Sequence, residues 1–317
     1  MARPALHSLL ALVLLSGCSD DAATPANTDA GTDTGNDSAV ADTAGAKNDG
    51  EPPKDLSADP LPASMATAVG FQPPSGPADQ PLDLSCLGTP MPIATGAVVD
   101  RTVKTAELGD TTALVPETDV EIFYANKLGG AADVTGKTAA GTAQLAAKIA
   151  PGFFLARTKK SGLLETVAYD WWIDKEPVFT FAIAVPAKVE ALEALSGGVE
   201  FKREAGTSRL VVQVRDCKRN NVSNAHVVIE IGGKIVAPVT TGPGIYRNYL
   251  GDNELPSEAK VSSRSGVVAF LNVPASAPVR LIAYGKTAAG IVPFAIRTLP
   301  PVADGVVTAL VSPWIEP

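Results

Sequence analysis

Residues 209–231 read RLVVQVRDCKRNNVSNAHVVIEI, and this stretch decides the class of fold. Two short runs rich in Val and Ile, Arg209–Arg215 and Ala225–Ile231, flank a polar segment that contains three Asn. β-Branched residues favour strands, and Asn favours turns. In the last four residues of the first run, Val212–Arg215, apolar and polar side chains alternate, as in a strand with one buried face. The stretch therefore predicts two strands joined by a loop.

Similar strand patterns recur at short intervals on both sides of this stretch, separated by Pro, Gly and Asn. In the first half we predict strands at Ala94–Val99, Asp119–Tyr124, Thr142–Ile149, Phe153–Thr158, Leu163–Trp172 and Val178–Val185. In the second half we add strands at Tyr246–Leu250, Val267–Leu271, Val279–Tyr284, Ile291–Ile296 and Val306–Val311. The apolar residues are mainly Val, Ile and Ala, which suit two packed sheets. The pattern predicts an all-β fold.

One helical pattern interrupts the strands at residues 186–198, PAKVEALEALSGG. A Pro stands at its start and a Gly pair at its end, which are typical helix boundaries. Val189, Leu192 and Leu195 recur at three-residue spacing. We expect a short helix between the two halves, with this apolar stripe packed on one of them.

The two halves repeat the same order of strands, loops and Pro-containing turns. The clearest segment is Arg209–Tyr284, with the motifs NAHVVIEI, SGVVAFLNVP and VRLIAYG. These motifs resemble the carboxypeptidase regulatory-like domain, a transthyretin-like sandwich of seven strands. The likeness is looser in the first half, where the loop before Pro116 is long. The resemblance implies two tandem Ig-like or transthyretin-like Greek-key β-sandwiches that present loops or support neighbouring domains.

The domain organisation follows from composition. We predict a lipoprotein signal peptide at 1–18, a disordered tether at 19–80 and a first sandwich at 81–185. A linking helix and loop at 186–206 and the second sandwich at 207–317 complete the chain. Two sandwiches are a comfortable size for the residues beyond the tether.

The predicted tether carries the chain's acidity. It holds ten Asp and one Glu against two Lys, and Phe71 is its one aromatic residue. Such a segment cannot bury enough apolar surface to offset the entropy of ordering, which predicts disorder. The chain's net charge of −8 arises here, and residues 81–317 sum to zero. We expect no nucleic-acid partner.

The N-terminus indicates a membrane anchor. The apolar run Leu6–Leu15 is about half the length that a spanning helix needs, as in a secretory signal. Leu15-Ser16-Gly17-Cys18 resembles a bacterial lipobox, which implies that Cys18 becomes the first mature residue and carries lipid. Ser19 then favours the outer membrane of the cell envelope. The alternative is a plain signal peptide with an incidental cysteine.

The sequence offers little material for catalysis. The mature chain has one histidine, His226, within a predicted strand, and it holds no P-loop, G-x-G-x-x-G or G-x-S-x-G motif. We interpret His226 as a strand residue on a sheet face. The sequence predicts a non-enzymatic protein with no catalytic residues, no metal site and no cofactor.

Cys86 and Cys217 remain once Cys18 is lipidated, and the compartment outside the inner membrane is oxidising. A disulfide between them would tie the two sandwiches together. Two separate buried thiols are the alternative.

Trp171 and Trp172 are adjacent in a predicted strand, so their side chains should point to opposite faces. One is expected in the core, and the other at a domain interface or on an exposed binding surface. Exposure would favour stacking on sugars or a partner protein.

These observations favour a membrane-anchored envelope lipoprotein whose sandwiches act as a binding or structural module. Its expected partners are the membrane, through the N-terminal lipid, and an envelope protein or glycan. A carbohydrate-binding accessory lipoprotein is the alternative, and a hydrolase with an unfamiliar site is a third hypothesis.

Overall fold

The structure is a computed structural model. It describes residues 55–66, 70–71, 80–94, 97–124, 130–173, 176–197, 201–251, 255–257, 259–287 and 290–316. The predictions for the signal peptide, for Cys18 and for residues 19–54 lie outside these ranges. Within them, the structure contains no helix with both the length and the apolar character needed to cross a bilayer.

The described residues form strands and two short helical segments. The first half contains β1 (Gly70–Phe71), β2 (Gln80–Pro81), β3 (Val99–Glu107), β4 (Asp110–Leu114), β5 (Asp119–Phe123), β6 (Val134–Lys137), β7 (Gln144–Ile149), β8 (Gly152–Lys159), β9 (Thr166–Ile173) and β10 (Val178–Ile183). The second half contains β11 (Thr207–Val214), β12 (His226–Ile231), β13 (Lys234–Ile235), β14 (Tyr246–Leu250), β15 (Pro256–Ser257), β16 (Val267–Pro274), β17 (Val279–Thr287), β18 (Gly290–Leu299) and β19 (Val306–Val311). A 3₁₀ turn (Ala63–Ala66) precedes them, and helix α1 (Pro186–Gly197) lies between the halves.

A single nine-stranded sheet runs through both halves in the order β15-β14-β16-β11-β19-β9-β8-β5-β6. Two four-stranded sheets pack against it. One contains β10, β3, β4 and β7, and the other has the order β13-β12-β17-β18. The all-β prediction with two sandwiches and one helix is therefore confirmed. The sandwiches are also fused, because β19 pairs in parallel with β11 on one side and β9 on the other.

The two sandwiches use opposite faces of the shared sheet. Phe154 and Ala156 on β8 belong to the first core, together with Val103 and Phe181 from the sheet that covers it. Leu155, between them, belongs to the larger second core. Because neighbouring side chains of a strand point to opposite faces, the two covering sheets lie on opposite sides of the shared sheet.

Helix α1 forms where the sequence predicts it, but with a different buried face. Val189 is buried and Leu192 packs beside it, whereas Leu195 is 56% exposed. Glu193 is buried instead. A three-residue spacing drifts around a helix of 3.6 residues per turn, so the third apolar position leaves the face that Val189 and Glu193 share. The predicted stripe is therefore wrong at Leu195.

Part of the predicted tether is folded. Residues 55–66, which we call the strap, lie on the outer face of the sheet formed by β12, β17 and β18. Met65 is fully buried there, and Leu56 and Leu61 pack beside it. The prediction of disorder is wrong for the strap, because average composition conceals three apolar side chains at close spacing and a carboxylate, Asp59, with buried partners.

Candidate functional site

The strap meets the second sandwich at a corner where β12 begins and β14 crosses it. His226 is the first residue of β12, and Arg247 and Tyr249 stand two positions apart on β14. The edge of β12 is uncovered at this point, because β13 pairs only with Glu230 and Ile231. The corner is therefore open to receive another segment of the chain.

Asp59 of the strap enters this corner as the partner of two basic side chains. Arg247 donates to both carboxylate oxygens, with Nη2 to Oδ1 at 3.1 Å, and also to the Val227 carbonyl at 3.0 Å. Nε2 of His226 lies 3.4 Å from Oδ1 of Asp59. Side-chain exposure is 7% for Asp59, 9% for Arg247 and 1% for His226. The result is a nearly buried ionic cluster.

Each basic side chain is also held by the sandwich itself. Nδ1 of His226 lies 3.0 Å from the Lys260 carbonyl, which can only accept, so this nitrogen is the donor. Nε2 is then the ring atom that faces the carboxylate. The Arg247 guanidinium lies 5.4 Å from the ring centre of Tyr249, whose hydroxyl accepts a bond from the Val227 amide at 3.0 Å.

The surroundings shift the pKa values of two groups in the cluster, Asp59 and Tyr249. Burial alone would raise the pKa of the Asp59 carboxyl, but its interactions with His226 and Arg247 outweigh this effect, and the pKa lies below its ordinary value of 3.8. Burial raises the pKa of Tyr249 to about 12, so its hydroxyl remains protonated. Asp59 therefore acts as a permanent anion at neutral pH.

Acid is expected to release the strap. Because the pKa of Asp59 is lowered in the folded state, its contribution to stability is present above the ordinary value and is lost as pH falls through the lowered pKa. Amide hydrogen exchange, expressed as protection factors, should show the strap losing protection below pH 3.8 before the shared sheet does. Asp59→Asn should lower that protection already at pH 7. Equal protection of the strap in the unsubstituted protein at pH 7 and below pH 3.8 would contradict this expectation.

The apolar half of the strap contact lies on the outward side of the covering sheet. Met65 packs against Val228, Ile282, Tyr284 and Ile296. Their strand neighbours, such as Val227 and Leu281, point into the second core. We call this face, together with His226, Arg247 and Tyr249, the strap site. His226 thus lies on a strand and a sheet face, as the sequence predicts, but its contact with Asp59 had no detectable sequence signal.

A second buried ion pair joins the two sandwiches. Asp170 on β9 and Arg297 on β18 are fully buried, with Nε and Oδ2 2.5 Å apart. Arg297 also donates to the carbonyls of Ile296 and Trp314 and to the Ser312 hydroxyl. Asp170 has a φ of 57° at an irregularity in the β8–β9 pairing, which turns its carboxylate toward Arg297.

The two predicted tryptophans point to opposite faces and are both half-buried. Trp171 packs edge-to-face on Phe181 in the first core, with ring centres 5.9 Å apart. Trp172 packs on Phe153 at 4.7 Å and lies under the Arg219 guanidinium at 5.2 Å. Arg219 belongs to the second half, so this geometry favours interface packing over an exposed stacking surface.

Cys86 and Cys217 are joined by a disulfide, with Cα atoms 5.5 Å apart and a sequence separation of 131. The bond fixes the segment before β3 to the loop after β11. Two further contacts support it, from the Cys217 amide to the Asp83 carbonyl at 3.0 Å and from Lys218 to the Asp83 carboxylate at 3.2 Å. The two halves are therefore covalently connected beside the Trp172 interface.

Charged side chains elsewhere in the described residues also connect segments. Glu193 of α1 and Arg209 of β11 form a buried pair at 2.5 Å, which fixes the helix to the shared sheet.

An open surface cleft in the first sandwich is lined by charged side chains, among them Asp119, Lys159 and Glu165. Among the described residues, no three His, Cys, Asp or Glu side chains are grouped as a metal site would require.

Comparisons with known proteins give no family. No family model and no curated protein matches the chain. Among solved structures, the Bacillus anthracis TIE protein shares 12% identity over 68% of this chain, with a TM-score of 0.21. The chain spans only 34% of that protein's length. A mutant of the shaft pilin SpaA from Lactobacillus rhamnosus GG shares 10% identity over 68% of this chain and 98% of its own, with a TM-score of 0.22.

A streptococcal ancillary pilin shares 10% identity over 68% of this chain and 62% of its own, with a TM-score of 0.19. Similarity at this level supports no conclusion about the chain's function. The functional argument therefore depends on the chain's own residues.

Proposed function

We propose that the chain is a lipid-anchored module of the bacterial cell envelope, whose fused sandwiches act as a binding or structural unit without catalysis. In this proposal the lipid is carried by Cys18, the protein lies at the outer membrane, and the second sandwich is a carboxypeptidase regulatory-like domain. The partner is another envelope component.

The disulfide is the observation that carries the proposed location. Disulfides persist in oxidising compartments such as the periplasm and are rare in the cytosol. The Cys86–Cys217 bond leaves Cys18 as the one cysteine outside a disulfide, at the position where the lipobox resemblance places the lipid. Both features support a location on the outer side of the inner membrane.

The use of buried charge supports a structural or binding role. Three nearly buried ion pairs each join different parts of the chain: Asp59 with Arg247, Glu193 with Arg209, and Asp170 with Arg297. Carboxylates and guanidinium groups engaged in this way hold segments in place. The proposed module is therefore a rigid body at the end of a lipid anchor.

Replacing Cys18 by alanine tests the anchor. Because two or more acyl chains on one residue hold a protein stably on a membrane, we expect Cys18→Ala to reduce the membrane-bound fraction by about tenfold or more. Ser19→Asp is the matched variant: it should stay membrane-bound and move from the outer to the inner membrane. Fractionation followed by immunoblotting measures both. An unchanged membrane fraction for Cys18→Ala would refute the proposal.

A further inference from the structure

We propose that the strap site is a peptide-binding site for a short acidic peptide with an apolar side chain six residues after a carboxylate, and that the strap is its intramolecular ligand. The strap supplies this pattern in DLSADPLPASMA, residues 55–66, through Asp59 and Met65. The inference deepens the proposed binding role, and it does not depend on the lipid anchor.

The polar half of the strap site is organised by the sandwich. Arg247 is held by the Val227 carbonyl and by the ring of Tyr249, and His226 is held by the Lys260 carbonyl. These contacts do not involve the strap. A segment that covered Arg247 as the strap does, but offered no carboxylate, would leave a nearly buried cation with no anion beside it, which is unfavourable. The corner therefore selects a carboxylate from any segment that reaches it.

The apolar half has the character of a binding surface. The outward face of an antiparallel sheet is ordinarily polar where water covers it. Here Val228, Ile282 and Ile296 point outward and form the floor beneath Met65. A contiguous apolar patch beside a paired charge is typical of a site for a peptide or protein. The strap fills this patch with a flexible, unbranched side chain.

The strap contacts the site through side chains. Its backbone makes internal turns, from the Asp59 amide to the Leu56 carbonyl and from the Met65 amide to the Pro62 carbonyl, both at 3.0 Å. The ionic and apolar contacts come from the side chains of Asp59, Met65, Leu56 and Leu61. Recognition of this kind depends on the peptide sequence, so a peptide with the same side chains can compete.

Two buried polar atoms show that the strap does not satisfy the site fully. Within the described part of the chain, Nε2 of His226 and the Tyr284 hydroxyl are buried without a hydrogen-bond partner. Tyr284 belongs to the apolar cluster that contains Met65. A buried hydroxyl without a partner is costly. A peptide that offers a polar atom there would bind better than the strap. This difference provides a reason for exchange.

Peptide binding in solution tests the inference. The protein is the full chain with Cys18→Ala, which removes any dependence on anchoring, and with Asp59→Ala and Met65→Asp, which release the strap. The probe is a fluorescein-labelled peptide of residues 55–66, followed by fluorescence anisotropy. We expect saturable binding to the released protein. Binding to the chain with its own strap should be at least about tenfold weaker, because a linked competitor acts at millimolar effective concentration.

Two substitutions identify the contacts. A probe with Asn in place of Asp59 should bind about tenfold more weakly, because it loses charge-assisted hydrogen bonds. Arg247→Met in the released protein should abolish binding, whereas Arg157→Gln, which removes the cation of the Glu121 pair in the first sandwich, should leave it unchanged. If the released protein is unstable, Asp59→Asn alone should still raise the affinity for the probe. No saturable binding by either protein, or equal binding of both probes, would overturn the inference.

Discussion

Replacing Asp170 by asparagine is expected to lower the free energy of unfolding by about 3–5 kcal/mol, because Arg297 would keep a fully buried charge without its anion. Asparagine tolerates the φ of 57° at this position, so the substitution tests the charge and leaves the backbone unstrained. The Glu316 carboxylate lies 3.9 Å from the Arg297 Nε and can compensate in part. Urea denaturation measures the change.

Two further variants make this result specific. Asp170→Asn combined with Arg297→Met removes both charges and should recover part of the lost stability. Asp119→Asn is the matched control, since its pair with Lys137 is about 60% exposed and should contribute less than about 1 kcal/mol. A loss for Asp170→Asn as small as that of the control would show that the junction does not depend on the buried pair.

Removing the disulfide is the second substitution with a large expected effect. Cys86→Ala with Cys217→Ala should lower the free energy of unfolding by about 2–5 kcal/mol, because the unfolded chain regains the freedom that a link across 131 residues removes. Thermal unfolding and proteolysis of the segment before β3 measure the change. A reductant should destabilise the unsubstituted protein and leave the double variant unaffected. Equal melting of both proteins without reductant would contradict the prediction.

Sequence patterns predicted the second half of the fold well because its strands follow simple rules. Tyr246–Leu250 and Val306–Val311 have the observed bounds, and β11, β12 and β17 differ by only a few residues at their ends. Taken together, these strands have mostly apolar residues at their buried positions, so periodicity and burial largely agree, although β11 also buries Arg209 and Gln213. The all-β class follows from that agreement.

In the first half, β3 was less predictable because polar residues occupy two of its four buried positions. We predicted a strand at Ala94–Val99, whereas β3 begins at Val99 and continues to Glu107. Its buried residues include Arg101 and Thr105, which hydrogen-bond to backbone carbonyls. A pattern that counts apolar residues cannot detect such a strand. The short strands β4 and β6, with mostly exposed side chains, were missed for a similar reason.

The strap site was not predictable because it brings together distant parts of the chain. Asp59 and Arg247 are 188 residues apart, and neither stands in a motif that indicates the other. The polar composition around the strap pointed to disorder, which is a statement about averages over many residues. Only the folded sandwich supplies the cations and the apolar floor that order this segment.

The position of β19 has a consequence for when the protein can fold. This strand is buried along its whole length and comes after every other strand of the described chain, yet it lies in the middle of the shared sheet, between β11 and β9. Domains usually fold one after another as they emerge during synthesis. Here the central layer has a gap until residues 306–311 arrive. The two sandwiches are therefore expected to gain their final order together, once this strand is available to close the shared sheet.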